Sequence, residues 1–86
     1  MYPEQRLLKL EARKEYYDDD IIWYLKRFIL SPDIPENEFD YYTEKLLHVQ
    51  RELRNAKTEQ DIDTIVNNFI YIKEELKKKY ENVFKR

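Results

Sequence analysis

The sequence predicts an all-α fold, a three-helix bundle in which a long first helix packs on an antiparallel helical hairpin, from three observations. Apolar residues recur at spacings of three and four along most of the chain, which is the period of a helix buried on one face. Glycine is absent, although the turns of a sheet generally need glycine. Charged residues make up 40% of the chain, as in helices with solvated outer faces. Whether the bundle is a monomer or a dimer stays open.

The chain length of 86 residues predicts a single helical domain, residues 1–86, with helices at about 3–30, 35–55 and 59–84. A hydrophobic fraction of 42% is too high for a disordered tail. The longest wholly apolar run covers only residues 21–25, far fewer than the ~20 residues that span a bilayer. No basic-then-apolar signal pattern opens the chain, so we expect a cytoplasmic protein that is not bound to a membrane.

The first predicted helix begins at Pro3, because a first helical turn does not need the N–H that proline lacks. Its core stripe is Leu7, Leu10, Tyr17, Ile21, Tyr24 and Phe28, widened by Leu25 and Ile29. Residues 18–20 are three aspartates, which favour a helix N-terminus, so Asp18 or Asp20 could cap a separate helix starting near Ile21. The apolar phase does not slip across them, which favours one continuous helix. The triplet itself is interpreted as a cap or as a solvated acidic face.

The second predicted helix follows a break at residues 31–35, where two prolines remove backbone donors. Its apolar stripe is an uninterrupted heptad pattern of Phe39, Tyr42, Leu46, Val49, Leu53 and Ala56. We expect the helix to stop near Asn55, the best left-handed capping residue in a chain without glycine.

The third predicted helix begins after Thr58, which forms an approximate capping box with Asp61. Its core stripe is Ile62, Ile65, Val66, Phe69, Ile72, Leu76, Tyr80 and Val83. The short link at residues 55–58 makes the second and third helices an antiparallel hairpin.

Histidine, serine, cysteine and glycine, which nucleophilic catalysis, many metal sites and phosphate-binding loops use, are scarce or absent. His48 is the single histidine, and on a helix it would lie one turn from both Glu44 and Glu52, a spacing typical of solvated helix faces. The three consecutive aspartates point about 100° apart on a helix and do not converge on a cation. Ser31 is the single serine, and the chain has neither cysteine nor glycine. We therefore expect no enzyme, no cofactor and no metal site.

One enzyme family shares a pattern with the first helix. The pattern consists of Leu7, Leu8, Leu10, Asp18, Ile21, Ile22 and Leu25, and it resembles the first helix of the all-helical chorismate mutases. That resemblance covers about twenty residues and implies a dicarboxylate substrate held by arginine and lysine side chains. The matching positions here hold Glu11 and Phe28, which do not bind carboxylates, so we expect this activity to be absent.

Large residues on the far side of the first helix form a second apolar stripe. Tyr16, Trp23 and Leu30 recur every seven residues opposite the core stripe. A helix that is apolar on two sides is packed between two partners, one of which is the hairpin. The other is a second copy of the chain or a different protein, unless the stripe is buried within the monomer. Tyr41 and Tyr71 also lie off their core stripes and would contribute if the fold brings them alongside.

The sequence thus predicts a non-catalytic protein–protein interaction module, such as an adaptor, inhibitor or assembly factor. The alternative is a nucleic-acid-binding regulatory protein that uses Lys73, Lys77 and Lys78 at the end of the third helix. Glu74 and Glu75 lie among these lysines, and the net charge is −2, so nucleic acid is the less favoured partner.

Overall fold

The computed structural model describes residues 3–84, with side chains described from Arg6 onward. It contains the helices α1 (Pro3–Ile29), α2 (Glu36–Asn55) and α3 (Glu59–Lys79), and no strand lies within that range. α1 packs against both α2 and α3. The predicted three-helix bundle is therefore confirmed.

α1 continues without interruption through the three aspartates, so the interpretation as one continuous helix is correct. At 1.5 Å per residue its 27 residues extend about 40 Å, whereas α2 and α3 extend about 30 Å each. The N-terminal end of α1 therefore passes the end of the hairpin, and Leu7 is 61% exposed although it falls on the core stripe. Ile29 is also exposed. The prediction that Leu7 and Ile29 belong to the core is wrong.

The connection between α1 and α2 is a tight turn with an apolar anchor. The Ile34 amide donates to the Ser31 carbonyl (3.3 Å), and the Ile34 side chain is buried in the core. The Pro35 carbonyl accepts from the amides of Glu38 and Phe39 (3.1 and 2.9 Å), so α2 begins directly after the proline. Burial of Ile34 holds the start of the hairpin against the end of α1.

The end of α2 differs from the predicted left-handed cap. Asn55 is the last helical residue, and Ala56 follows in an extended conformation (φ −63°, ψ 136°) with its amide donating to the Leu53 carbonyl (3.2 Å). No residue between 3 and 84 has a positive φ. The chain leaves the helix through the extended region because this buries the Ala56 methyl group in the core.

α3 begins with the predicted capping box. The Thr58 hydroxyl accepts from the Asp61 amide (3.1 Å), while the Asp61 carboxylate accepts from the amides of Lys57 and Thr58 (3.1 and 3.2 Å). These hydrogen bonds, the one from the Lys57 amide foremost, lower the pKa of the Asp61 carboxyl.

The end of α3 is where the chain departs most from the predicted pattern. The helix stops at Lys79 rather than continuing to residue 84. The amides of Val83 and Phe84 both donate to the Tyr80 carbonyl (3.0 and 3.1 Å), and this turn returns the chain to the bundle. Phe84, which the core stripe omitted, is completely buried.

Aromatic rings form the core at this end of the bundle. The Phe84 ring lies 4.9 Å from that of Phe28 and 5.4 Å from that of Tyr24, centroid to centroid. Tyr24 meets Phe69 edge to face at 6.0 Å, and Phe28 stacks on Tyr42 at 6.0 Å. All three helices and the turn after α3 thus contribute to one aromatic cluster.

Candidate protein-binding face

The three aspartates of α1 have three different surroundings. Asp18 accepts from the Gln50 amide nitrogen (2.8 Å) and lies 3.4 Å from the Arg54 guanidinium, both on α2. Asp20 accepts from the Lys73 ammonium on α3 (3.2 Å). Asp19 lies between them and is exposed, because successive side chains point about 100° apart. The interpretation of the triplet as a cap or a solvated face is wrong for Asp18 and Asp20, which join α1 to the hairpin.

A second set of polar contacts holds α1 farther toward its N-terminus. The Arg13 guanidinium donates to Asp63 (2.8 Å) and lies 3.7 Å from Glu59, both on α3. The hydrogen bond to Asp63 raises the pKa of Arg13. Lys14 donates to the Arg54 carbonyl at the end of α2 (3.2 Å). These contacts and the aspartates fix the rotation of α1 about its axis, and therefore fix which side chains face outward.

The side of α1 opposite its core stripe is called the outer face here, and consists of Tyr16, Asp19, Trp23, Arg27 and Leu30. Tyr16 and Asp19 also line an open cleft that α1 shares with Lys73 and Lys77 of α3. Tyr16 is 69% exposed, and its ring lies nearly perpendicular to that of Tyr17, with the centroids 5.1 Å apart. Leu30, directly after α1, is 71% exposed. The two side chains are about 21 Å apart along the helix. Both side chains are therefore exposed on the side of α1 opposite its core stripe, as the seven-residue recurrence predicts.

Trp23, between them, belongs partly to the core. Its side chain is half-buried against the aromatic cluster, with the ring centroid 4.9 Å from that of Tyr24. The Arg27 guanidinium lies over the indole ring, 5.0 Å from the ring centroid. Replacing Trp23 with alanine would therefore alter stability as well as any binding. Tyr16 and Leu30 are the cleaner probes of the outer face.

The fold does not bring the two other predicted tyrosines alongside the outer face. Tyr41 is half exposed, lies beside the Lys45 ammonium (4.5 Å) and lines a cleft between α2 and α3, on the side of the hairpin away from α1. Tyr71 is 73% exposed on α3. Lys73, two residues farther along α3, bonds to α1, and Glu75, four residues farther along, bonds to α2. Tyr71 itself points to solvent between these two contacts.

A cluster of paired polar groups lies where the start of α2 meets the end of α3. Glu38 of α2 accepts from the Tyr80 hydroxyl and pairs with the Lys79 ammonium. The bond from Lys79 foremost, and then that from Tyr80, lowers the pKa of Glu38. Burial, and after it the hydrogen bond to Glu38, raises the pKa of Tyr80 to about 12. Nearby, the Tyr42 hydroxyl donates to Glu75 (2.8 Å). Each group in the cluster is paired across the α2–α3 interface, which makes its role structural.

Alkaline destabilisation is the expected consequence of this cluster. Tyrosine in the unfolded chain loses its proton near pH 10.0, whereas folded Tyr80 retains it to about 12. Between these values the folded state binds more protons, so stability falls as the pH rises. We expect the urea midpoint of the wild type to decrease from pH 9 to pH 11, and Tyr80→Phe to reduce that decrease. An equal decrease in the variant would contradict the assignment.

The groups that the sequence offered for a metal site are its single histidine and its acidic side chains. His48 pairs with Glu52 one turn along α2, on an exposed surface. No group of three or more histidine, aspartate or glutamate side chains in that range is arranged to hold a metal ion. An open cleft between α1 and α3 is lined by Tyr16, Lys77 and the paired groups Asp20 and Lys73.

The lysines of the nucleic-acid alternative are only partly available. Lys73 is half-buried, is bonded to Asp20 and lies over the Phe69 ring (4.7 Å). Lys77 and Lys78 are exposed. Two lysines that point in different directions from a helix would neutralise few phosphates and would bind a nucleic-acid backbone weakly.

Two charged residues of the outer face were not selected from the sequence. Asp19 and Arg27 lie on the same side of α1 as Tyr16 and Leu30 and are both exposed. Their positions follow from the rotation of 100° per residue in a helix. A helical-wheel projection that included the charged residues would therefore have identified them. Which of the three adjacent aspartates remained exposed depended on the packing of α1.

No protein-family model, no curated protein and no solved structure matches this chain. Within the described residues, none of the three helices combines the length and the apolar character that crossing a bilayer requires.

Proposed function

We propose that this chain is a non-catalytic module that binds protein through the outer face of α1. The observation that supports the proposal is the distribution of exposed apolar side chains. Among the described residues, six large apolar side chains are more than 60% exposed, and five of them lie on α1 or directly after it. These five are Leu7, Leu8, Tyr16, Ile29 and Leu30, and the sixth is Tyr71. Of the five, Tyr16 and Leu30 belong to the outer face, where they flank the half-buried Trp23, and an exposed apolar patch of this kind is typical of an interaction surface.

The physical basis of binding is the removal of these side chains from water. Burial of one large apolar side chain contributes about 1.5–3 kcal/mol, and tyrosine and tryptophan are enriched where binding energy concentrates. α1 is held against the hairpin by the contacts of Asp18, Asp20 and Arg13, so the outer face is presented without a change of fold. A preorganised surface loses little conformational entropy on binding. An adaptor, inhibitor or assembly factor works in this way.

Site-specific photo-cross-linking tests the proposal. A photoreactive benzoyl-phenylalanine replaces Tyr16 in one chain and Tyr71 in the control, since both tyrosines are about 70% exposed. We expect covalent adducts to protein, of either the same or a different chain, from position 16 in cells of the native host, and few from position 71. Equal labelling from both positions, or none from position 16, would show that the outer face is not a binding surface.

A further inference from the structure

We infer that the outer face of α1 binds the outer face of a second copy of the chain, with the two α1 helices antiparallel and the twofold axis beside Trp23. The inference rests on the proposed function and names its partner. Two features of α1 support it. One is the order of charged residues along the helix, and the other is which of the charged side chains already bond to α2 or α3 within the monomer.

The charges along the outer side of α1 change sign at Trp23. Within residues 15–30, the exposed charged residues before it are Glu15 and Asp19, and those after it are Lys26 and Arg27. One half of the surface is therefore acidic and the other half basic. When two copies of this surface lie antiparallel, the acidic half of each faces the basic half of the other.

An antiparallel pair with its axis at Trp23 satisfies these charges. In such a pair, residues equally far from Trp23 in opposite directions face each other, as in any twofold contact. Asp19 is four residues before Trp23 and Arg27 four residues after it, so each aspartate faces the arginine of the other copy. Tyr16 and Leu30, seven residues before and after, meet in the same way. A single register thus pairs both the charges and the apolar side chains.

The parallel arrangement is disfavoured by the same residues. It would place Asp19 opposite the same aspartate of the other copy, and Arg27 opposite the same arginine. Like charges brought together at an interface cost several kcal/mol. The charge order therefore selects one of the two ways in which the helices could align.

The monomer leaves these particular groups on its surface. Asp18 and Asp20 bond to α2 and α3, whereas Asp19, between them, is exposed. Arg27 is exposed and is oriented by the Trp23 ring beneath it, which leaves its N–H groups free to meet a carboxylate from outside. Trp23 is half-buried and contributes only its remaining surface at the axis. The pairing depends on Tyr16, Asp19, Arg27 and Leu30.

The size of the contact predicts a weak dimer. The stretch from Tyr16 to Leu30 is about 21 Å of helix, roughly four turns. A contact along one helix of this length buries less than the ~800 Å² per partner of a standard interface. We therefore expect a dissociation constant in the micromolar range, so that the dimer forms or dissociates over concentrations that sedimentation equilibrium covers.

Charge reversal tests the pairing directly. We expect Asp19→Arg alone, and Arg27→Asp alone, to raise the dissociation constant more than tenfold, because each places like charges together twice in a twofold contact. An equimolar mixture of the two variants should form a heterodimer, and the double variant should dimerise within a few-fold of the wild type. Glu44→Arg, an exposed reversal of the same size on α2, should change nothing. Circular dichroism checks that every variant folds.

The absence of cysteine makes the register testable as well. The double variant Tyr16→Cys with Leu30→Cys should cross-link into dimers with a bismaleimide of about 10 Å reach, near the separation of two packed helices. Each single variant should not, because its two cysteines lie about 21 Å apart in the antiparallel register. In a parallel dimer the single variants would cross-link efficiently as well, so that result would contradict the antiparallel register.

The outcomes separate this inference from the proposed function. If the wild type stays monomeric at millimolar concentration while the photoprobe at Tyr16 labels a different protein, the self-pairing is wrong and the binding face stands. If a dimer forms but none of the charge variants alters it, the copies meet elsewhere and the inference is again wrong. If the wild type is monomeric and position 16 labels nothing, both are wrong.

Discussion

Replacing Phe84 with alanine is expected to lower the free energy of unfolding by about 3–5 kcal/mol, the largest effect of any substitution considered for this protein. Phe84 lies beyond the end of α3, yet its side chain is completely buried. The centroid of its ring is 4.9 Å from that of Phe28 and 5.4 Å from that of Tyr24, both of which lie on α1. Removing the ring would leave a cavity where α1 meets the turn that follows α3.

The loss would be a large part of the total stability. Domains of this size are stable by about 5–15 kcal/mol, and small ones lie toward the lower limit. The variant would also free the turn formed by the amides of Val83 and Phe84 on the Tyr80 carbonyl, since the ring no longer holds it. Tyr80 and its contact with Glu38 would then be weakened together with the aromatic cluster.

Urea denaturation followed by circular dichroism measures this effect. Phe84→Leu, which retains much of the buried volume, should lose clearly less than Phe84→Ala. Tyr71→Ala, an aromatic truncation at a 73% exposed position, should stay within about 0.5 kcal/mol of the wild type. A loss below about 1 kcal/mol for Phe84→Ala would mean that the turn after α3 does not close the core.

The second large effect is expected at Asp18. Asp18→Ala should lower the free energy of unfolding by about 1–3 kcal/mol, because it removes the acceptor of a hydrogen bond that joins α1 to α2. The donor is the amide of Gln50, the one polar side chain among the buried residues of the described chain. An amide left unpaired in that position loses its hydrogen bond without regaining one from bulk water.

The neighbouring residue supplies the matched control. Asp19→Ala removes an identical side chain one position along the same helix, but from an exposed site. We expect it to leave the stability of the monomer nearly unchanged when measured well below the dissociation constant of the dimer. A double-mutant cycle of Asp18→Ala with Gln50→Ala isolates the pair energy. Equal losses for Asp18→Ala and Asp19→Ala would contradict the assignment of different roles.

The same two substitutions separate folding from binding. Asp18 stabilises the position of α1 on the hairpin, whereas Asp19 is available to a partner. We therefore expect Asp18→Ala to act mainly on the free energy of unfolding and Asp19→Ala mainly on self-association. Adjacent aspartates would then serve the fold and the interface separately.

Part of the candidate site was predictable from spacing alone. Tyr16 and Leu30 face outward as the seven-residue recurrence predicted, because a helix held on one side by apolar residues exposes the other side. Tyr41 and Tyr71 were grouped with them only because they lay off their own core stripes. Their separation from the outer face depends on how three helices are arranged around one another, which the period of a single helix does not contain.

The sequence by itself determined most of what depends on neighbours a few residues apart, although the predicted left-handed cap of α2 was wrong. The helical period, the proline break at residues 31–35, the capping box of Thr58 and the hairpin link all involve local contacts, and each was predicted correctly. Only the tertiary structure decided the features that depend on distant contacts. Asp18 meets a residue 32 positions away, Asp20 one 53 positions away, and Phe84 packs on rings of α1. Such pairs form because packing brings the helices together, and the free energy of that burial outweighs the local preference of α3 to continue.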